Sequence, residues 1–248
     1  MTHTSARFDR IKARPAYELV AEAIERKILA GRLRPGDPVG TESELVKQFG
    51  VNRSTVREGI RLLEQSGLVA REASRRLSVA APHYDRLASR MSRALILQQV
   101  TFRELYNTSR ALGPGSIDEA IDNRTEADLA ALEANLVRTR EMRHNARAVA
   151  ELDAEFHGLL DAATHNRVLQ LAKEPVSMLV RPTTALIITS NPPGIPRLIE
   201  AHGHIVDALA SRDREKGRLW VDRHLRDWKA GFELSGRDLD SPVDATGV

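Results

Sequence analysis

The sequence predicts a mainly α protein in two parts, an N-terminal winged helix-turn-helix followed by a C-terminal all-helical bundle. Three observations lead there. Between Asn52 and Leu63 the residues repeat as an amphipathic helix: at 100° per residue Val56, Ile60 and Leu63 fall within an arc of about 60°, and Arg53, Arg57 and Arg61 within a neighbouring arc of about 80°. One side packs and the other stays cationic. Just upstream, the capping box Thr41-Glu42-Ser43-Glu44 starts a short helix bearing Leu45, Val46 and Phe49, and Gly50 offers a left-handed stop, so two helices are joined by a tight turn. From residue 82 to about Leu234 nearly every stretch has helical periodicity with short breaks, the pattern of a bundle.

Taken in order, residues 1–14 are polar and basic and are expected to form a mobile arm. A helix follows from Pro15 to Leu29, with proline in its first turn, Val20, Ile24 and Ile28 on one face, and Gly31 ending it. After the second helix of the motif, Ser66-Gly67 breaks the period. Leu68-Val69-Ala70 and Leu77-Ser78-Val79 can then pair as strands across a basic wing, completing a domain over residues 15–81. Ala80 to His83 reads as a hinge into the helical domain, residues 82–234. There the expected elements are a helix with the stripe Leu87, Met91 and Leu95, and a helix opening at Phe102 that Gly113-Pro114-Gly115 interrupts. Next come Glu126 to Met142, with Leu129, Leu132 and Leu136 inside, and Val149 to Ala163. Two helices between Asn166 and Ile188 are bent or separated by Pro175 and Pro182, and a hairpin of Arg197 to Ala210 and Asp213 to Leu234 closes the domain. Six or seven helices result. The tail, 235–248, has few large apolar residues and is expected to be disordered.

With 248 residues, 42% of them apolar, the chain is long enough to bury two cores. It has no cysteine, which excludes disulfides and thiolate metal sites and is compatible with a reducing cytoplasm. The N-terminus lacks the apolar stretch of a signal peptide, and the best apolar run, Val176 to Ile188, is broken by Arg181 and Pro182. A cytoplasmic, nucleoid-associated protein with no membrane partner is therefore expected. Charge is uneven: residues 1–80 hold 15 Lys/Arg against 10 Asp/Glu, net +5, and residues 81–248 hold 22 against 24, net −2. The cationic part coincides with the helix-turn-helix, so double-stranded DNA is the expected partner, bound with an affinity that falls steeply with salt.

The run from Ile28 to Val79 resembles the DNA-binding domain of GntR-family bacterial transcriptional regulators. Its marks are Gly31-Arg32-Leu33-Arg34-Pro35-Gly36-Asp37, Glu42-Ser43-Glu44-Leu45, Val51 to Glu58, and Leu63-Glu64-Gln65-Ser66-Gly67-Leu68-Val69. The resemblance implies that Arg53 and Arg57 reach the major groove, assisted by Asn52, Ser54 and Thr55, with Arg75 acting from the wing. Val39-Gly40 stands where the family usually has Leu-Pro, Ser43 where it often has Arg, and Arg76 where the wing usually has Gly. These departures bear on operator sequence rather than on the DNA-binding class.

Asp153 and His157 are four residues apart on one expected helix, hence on one face, and His202 and His224 lie on the last two. By spacing alone this is either a polar contact with neighbouring histidines or a nitrogen- and oxygen-rich divalent-metal site. The segments around all four, with Ala163-Thr164-His165-Asn166, are similar to the FCD-type ligand-sensing domain of the FadR subfamily of GntR regulators. That resemblance implies a metal, Zn²⁺, Ni²⁺ or Mn²⁺, held by Asp153, His157, His202 and His224, with His204 offset from the ligand set. It also implies a small carboxylate effector on the open coordination positions: a sugar acid, hydroxy acid, dicarboxylate or amino acid. The family's effector-clamping Arg aligns with Ser109 and an acidic residue with Gly113, which leaves Arg110 and Arg181 as candidate effector contacts.

The expected function is a homodimeric DNA-binding regulator, a repressor, that reads an inverted-repeat operator and responds to the carboxylate. Two other classes are compatible with parts of the sequence: a metal-dependent hydrolase in the helical domain, and a DNA-binding protein without small-molecule sensing. No phosphate loop or nucleophile motif supports an enzyme, and Glu155, the one acid within the Asp153 to His157 stretch, turns away from the ligand face.

Overall fold

A computed structural model of the chain describes residues 14–71, 76–80 and 84–243. Contacts divide the chain into two units, Met1–His83 and Tyr84–Val248. The first contains α1 (Ala16–Leu29), β1 (Pro38–Gly40), α2 (Glu42–Phe49), α3 (Arg53–Ser66), β2 (Val69–Arg71) and β3 (Leu77–Val79). Val20, Ala21 and Ile24 of α1 bury against Val56, Ile60 and Leu63 of α3, with Leu45, Val69 and Leu77 closing the core. Gly59 sets how closely α1 and α3 approach, since a Cβ there would lie 2.9 Å from the Tyr17 carbonyl oxygen.

Local chemistry places both helices of the motif. The Thr41 box is reciprocal: its hydroxyl accepts from the Glu44 N–H at 3.3 Å, and the Glu44 carboxylate accepts from the Thr41 N–H at 2.7 Å. Gly50 then ends α2 at φ 64°, and Gly67 ends α3 at φ 78°. The expected strands pair antiparallel in the register Val69↔Val79, Ala70↔Ser78 and Arg71↔Leu77. A third strand is added: β1 pairs with the other edge of β3, giving the order β1-β3-β2. Three residues, two of them Pro38 and Gly40, carry no periodic signal, which is why the sequence did not announce it. The wing residues 72–75 and the arm residues 1–13 lie outside the described residues.

The second unit contains α4 (Tyr84–Leu97), α5 (Phe102–Asn123), α6 (Glu126–Glu141), α7 (Ala146–Ala162), α8 (Arg167–Ser190), a 3₁₀ turn (Pro192–Gly194), α9 (Ile195–Ser211) and α10 (Arg214–Leu234). Seven α-helices among the described residues agree with the six or seven expected. Side-chain caps start most of them: Thr101, Thr125, Asn145, Asn166 and Asp213 each accept an N–H three residues on. The main core joins Ile117 and Ile121, Leu132 and Leu136, Phe156 and Leu160, and Ile205 and Leu209, so α5, α6, α7 and α9 share one apolar interior. Burying each such side chain contributes about 1.5–3 kcal/mol.

Four expectations are corrected here. The Gly113-Pro114-Gly115 break is absent, and α5 runs unbroken through it. Pro114 lies on the exposed face, where water can take up the carbonyl that its missing N–H leaves free, and Gly113 sits against α10 with a would-be Cβ 3.0 Å from Val221 Cγ1. Helix α8 is likewise one element through Pro175 and Pro182. Packing against α4, α5, α7 and α10 surrounds it and offsets its two lost backbone bonds. Of the expected α4 stripe, Leu95 packs against the core, Met91 is exposed, and the Leu87 side chain lies outside the described residues; among those described, the buried residues of α4 are Ala88 and Ser92. Ser92 is small enough for close approach to α8, and its hydroxyl reaches the Ala88 and Pro175 carbonyls at 2.8 and 2.9 Å. Residues 235–243 of the tail are ordered against the bundle. Leu239 is buried, Arg103 holds Asp240 in a two-point ion pair at 2.6 and 2.9 Å, and the Val243 N–H donates to the Val100 carbonyl.

The α8 to α10 contact yields a stability prediction. A Cβ at Gly231 would fall 2.6 Å from Ile187 Cγ2, and a β-branched residue in a helix has one strongly preferred rotamer with which to escape. Gly231→Ala is therefore expected to lower unfolding stability by about 1–3 kcal/mol, read by urea titration. An unchanged midpoint would mean that the helices separate freely.

Candidate metal centre and DNA-reading helix

The N-terminus of α3 is an exposed, donor-rich edge. The Asn52 side-chain oxygen accepts from the Thr55 N–H and the Ser54 hydroxyl, both at 2.8 Å. Its amide nitrogen is left as the outward donor. Arg53 and Arg57 are exposed one turn apart, and the Arg53 guanidinium donates to Ser43 Oγ at 3.1 Å, linking α3 to the first turn of α2. Arg61 is drawn aside to Glu58 at 3.1 Å. Arg71 bonds Glu42 and Glu64 at 3.2 and 3.3 Å, so this arginine ties β2 to α2 and α3. The cationic face thus narrows to Arg53 and Arg57 among the described residues, and Arg75 lies outside them.

In the helical unit, three helices bring four ligand-type side chains to one point. Asp153 and His157 come from α7, His202 from α9 and His224 from α10, with one donor atom of each within 4.8 Å of all the others. Asp153 Oδ1 is 3.4 Å from His202 Nε2 and 3.7 Å from His157 Nε2, and the Nε2 atoms of His157 and His224 are 3.1 Å apart. His202 is fully buried and its ring stacks on Phe156 at 3.7 Å between centroids, which fixes the ring plane. Asp153 Oδ1 and both His202 nitrogens are buried without a hydrogen-bond partner. A buried carboxylate oxygen without a partner is costly, and a divalent cation at this point would satisfy it together with the imidazole lone pairs. The residues fit a metal.

The surroundings tune the three imidazoles toward ligation, whereas the carboxyl must give up a proton to a metal. Burial raises the Asp153 carboxyl to about 7. Burial, then the neighbouring His224 and His157, holds His202 well below the ordinary imidazole range. Burial acts likewise on His157, followed by His224, Lys173 and Arg181, and it lowers His224 to about 4 with Asp227 partly opposing. At neutral pH all three rings are therefore uncharged and their lone pairs are available.

A cavity of about 310 Å³ opens beside the cluster, lined in part by Asp153, His157 and His224. Arg181 lines it, paired with Glu174 at 3.0 Å. Arg110 is not among the lining residues; it lies near Asp222 at 3.7 Å and over the Tyr106 ring, because its position on α5 faces outward. The sequence reading missed Lys173 and Arg197, which also line the cavity. One signal was present: Asp161 continues the four-residue stripe of Asp153 and His157, and it pairs with Lys173. His204 stacks on Trp220 and stands apart from the four. Glu155 is exposed and paired with Arg138, turned away from the cluster as expected.

Comparison with known proteins places this geometry. Residues 16–79 match the model of the bacterial regulatory proteins of the gntR family, and residues 104–227, half of the chain, match the FCD domain. The chain belongs to the GntR family. Its FCD-type second domain fits the FadR subfamily arrangement. The HTH-type transcriptional regulator LutR of Bacillus subtilis strain 168 is 27% identical over 199 residues, covering 79% of this chain and 91% of LutR. The Glc operon transcriptional activator of Escherichia coli K12 is 26% identical over 237 residues, covering 91% of this chain and 93% of the activator. Among solved structures, a Streptococcus agalactiae GntR protein matches with a TM-score of 0.60 at 19% identity, over 86% of this chain and 99% of that one, a likeness of fold. As a GntR-family member the protein is a DNA-binding transcriptional regulator rather than an enzyme, and its FCD domain is the effector-sensing part. No helix among the described residues is long and apolar enough to cross a membrane.

Proposed function

We propose that this GntR-family regulator is a homodimeric repressor of an inverted-repeat operator. A divalent metal on Asp153, His157, His202 and His224 would form the floor of its effector site, and a small carboxylate bound there would change operator affinity. The observation that carries the metal is the buried, unpartnered Asp153 Oδ1 facing three uncharged imidazoles. When bound, Zn²⁺, Ni²⁺ or Mn²⁺ would supply a Lewis-acid centre with one or two positions left for carboxylate oxygens. The protein's part is to hold three neutral rings and one carboxylate in place, with Asp153 and His202 buried, and to set Arg181, paired with Glu174, at the cavity wall. On the DNA side Arg53 and Arg57 would reach base edges, with Asn52, Ser54 and Thr55 at the backbone and Arg75 in the wing. Two recognition helices in a symmetric dimer would require two half-sites about one helical turn apart.

An effector changes DNA binding only through different affinities for the DNA-competent and incompetent arrangements. The test is operator binding by fluorescence anisotropy, using metal-loaded and metal-stripped protein with and without carboxylates. A shift of about 5–150-fold that requires metal is expected. Operator binding indifferent to both metal and every carboxylate would leave a regulator without this sensor.

A further inference from the structure

The cavity beside the ligand cluster narrows the class of effector. At about 310 Å³ it sits at the small end of ligand pockets, which run roughly 300–1,000 Å³. Away from Asp153, His157 and His224 its walls are aliphatic, with Leu112 and Ile117 from α5, Val176, Val180 and Ile188 from α8, and Leu225 from α10. Ser109, Ser116, Ser177, Thr184 and Asn191 interrupt them, and the Ser116 hydroxyl is buried without a hydrogen-bond partner, so it is placed to meet a single hydroxyl or carbonyl of a ligand. Three cations reach the cavity and each is already committed: Lys173 to Asp161, Arg181 to Glu174 at 3.0 Å, and Arg197 to Asp227 at 2.5 Å. A second carboxylate on a ligand would therefore meet balanced ion pairs rather than a spare positive charge, and its desolvation would go uncompensated. A run of hydroxyls would lose water against carbon walls in the same way.

We infer that the effector is a monocarboxylic acid with an apolar body, its carboxylate at the metal-ligand cluster and its hydrocarbon part along the α5, α8 and α10 walls. Sugar acids and dicarboxylates are disfavoured. This rests on the proposed effector site, but the two readings fail separately.

The experiment is calorimetry on the full-length protein, zinc-loaded and zinc-stripped, with straight-chain acids from butanoate to octanoate, with hexanedioate and with gluconate. Affinity is expected to rise about fourfold per added methylene until the cavity is full, following the free energy of burying a CH₂. The heat-capacity change should be negative. Hexanedioate and gluconate should bind at least tenfold more weakly than hexanoate. Val180→Asn should weaken hexanoate about tenfold while leaving zinc per chain unchanged, which separates a wall effect from misfolding. Tighter binding of gluconate or hexanedioate, a flat response to chain length, or no binding of any monocarboxylate would overturn the inference. A chain-length slope in protein that holds no zinc would sink the metal reading and leave the ligand class standing. Stoichiometric zinc with no slope would do the reverse.

Discussion

His202→Ala is expected to weaken divalent-metal binding by at least about 100-fold, since even groups that only orient metal ligands are worth roughly 10–100-fold. Elemental analysis after equilibrium dialysis would read it. Because His202 is fully buried and stacked on Phe156, its loss also leaves a hole in the core. The companion His157→Ala separates the two effects, because His157 is only partly buried and its removal should empty the site with less damage to the metal-free fold. Wild type at a metal concentration of 100 times Kd should gain about 2.7 kcal/mol of stability, and both variants should lose that gain. One ion per chain retained in both would refute the assignment.

The pH dependence follows with its sign. Near neutrality only Asp153, at about 7, holds a proton that metal must displace, so affinity should fall by up to tenfold per unit as pH drops below about 7. It should fall faster toward about 4, where His224 is protonated as well. In the metal-free protein the two residue types oppose one another. The raised Asp153 binds its proton more readily when folded than unfolded, so its contribution to stability declines as pH rises from about 4 to about 7. The three histidines bind theirs less readily when folded, so their contribution grows as pH rises through the same window toward 6.5. Three outweigh one. Metal-free stability should therefore increase with pH over this range, and urea midpoints at pH 5 and pH 7 would check it.

How much of this was legible in the sequence depended on whether the governing contact is local. Helices α2 and α3 were readable because their start and stop signals, Thr41 to Glu44, Gly50, Asn52 and Gly67, act within four residues of themselves. Pro114, Pro175 and Pro182 misled for the opposite reason. Proline penalises a helix locally, and the sequence does not say which face is exposed or that four helices enclose α8. Ser92 was overlooked because close approach of α4 and α8 rewards a small residue where apolar counting seeks a large one. The ordered part of the tail hangs on Leu239 and the pair Arg103 to Asp240, 137 residues apart, too little to register as a pattern. In the ligand cluster Asp153 and His157 are tied together by their spacing, whereas the sequence puts His202 and His224 on the last two helices as candidates and leaves their convergence to the packing of α7, α9 and α10, which only resemblance favours in advance. The partners that neutralise Arg197 and Lys173 belong to the same long-range geometry.

On the DNA side, Arg53→Ala is expected to weaken binding to an operator obtained by selection by about 1–3 kcal/mol and to reduce discrimination against scrambled DNA by a similar amount, as for a lost bidentate base contact. The geometry supports a base-reading role over a purely electrostatic one. Arg53 is exposed at the first residue of α3, where a helix entering the major groove presents its side chains, and Ser43 Oγ gives the guanidinium a defined resting position at 3.1 Å. Arg61 is the control. It sits two turns further along and is drawn to Glu58, so Arg61→Ala should cost little on either sequence. Titrations on both DNAs at two salt concentrations separate the outcomes. If Arg53→Ala weakened operator and scrambled DNA equally and lowered the salt slope by about 1, Arg53 would be a phosphate contact. Base reading would then fall to Arg57, exposed one turn further along α3, whose alanine variant should carry the loss of discrimination instead.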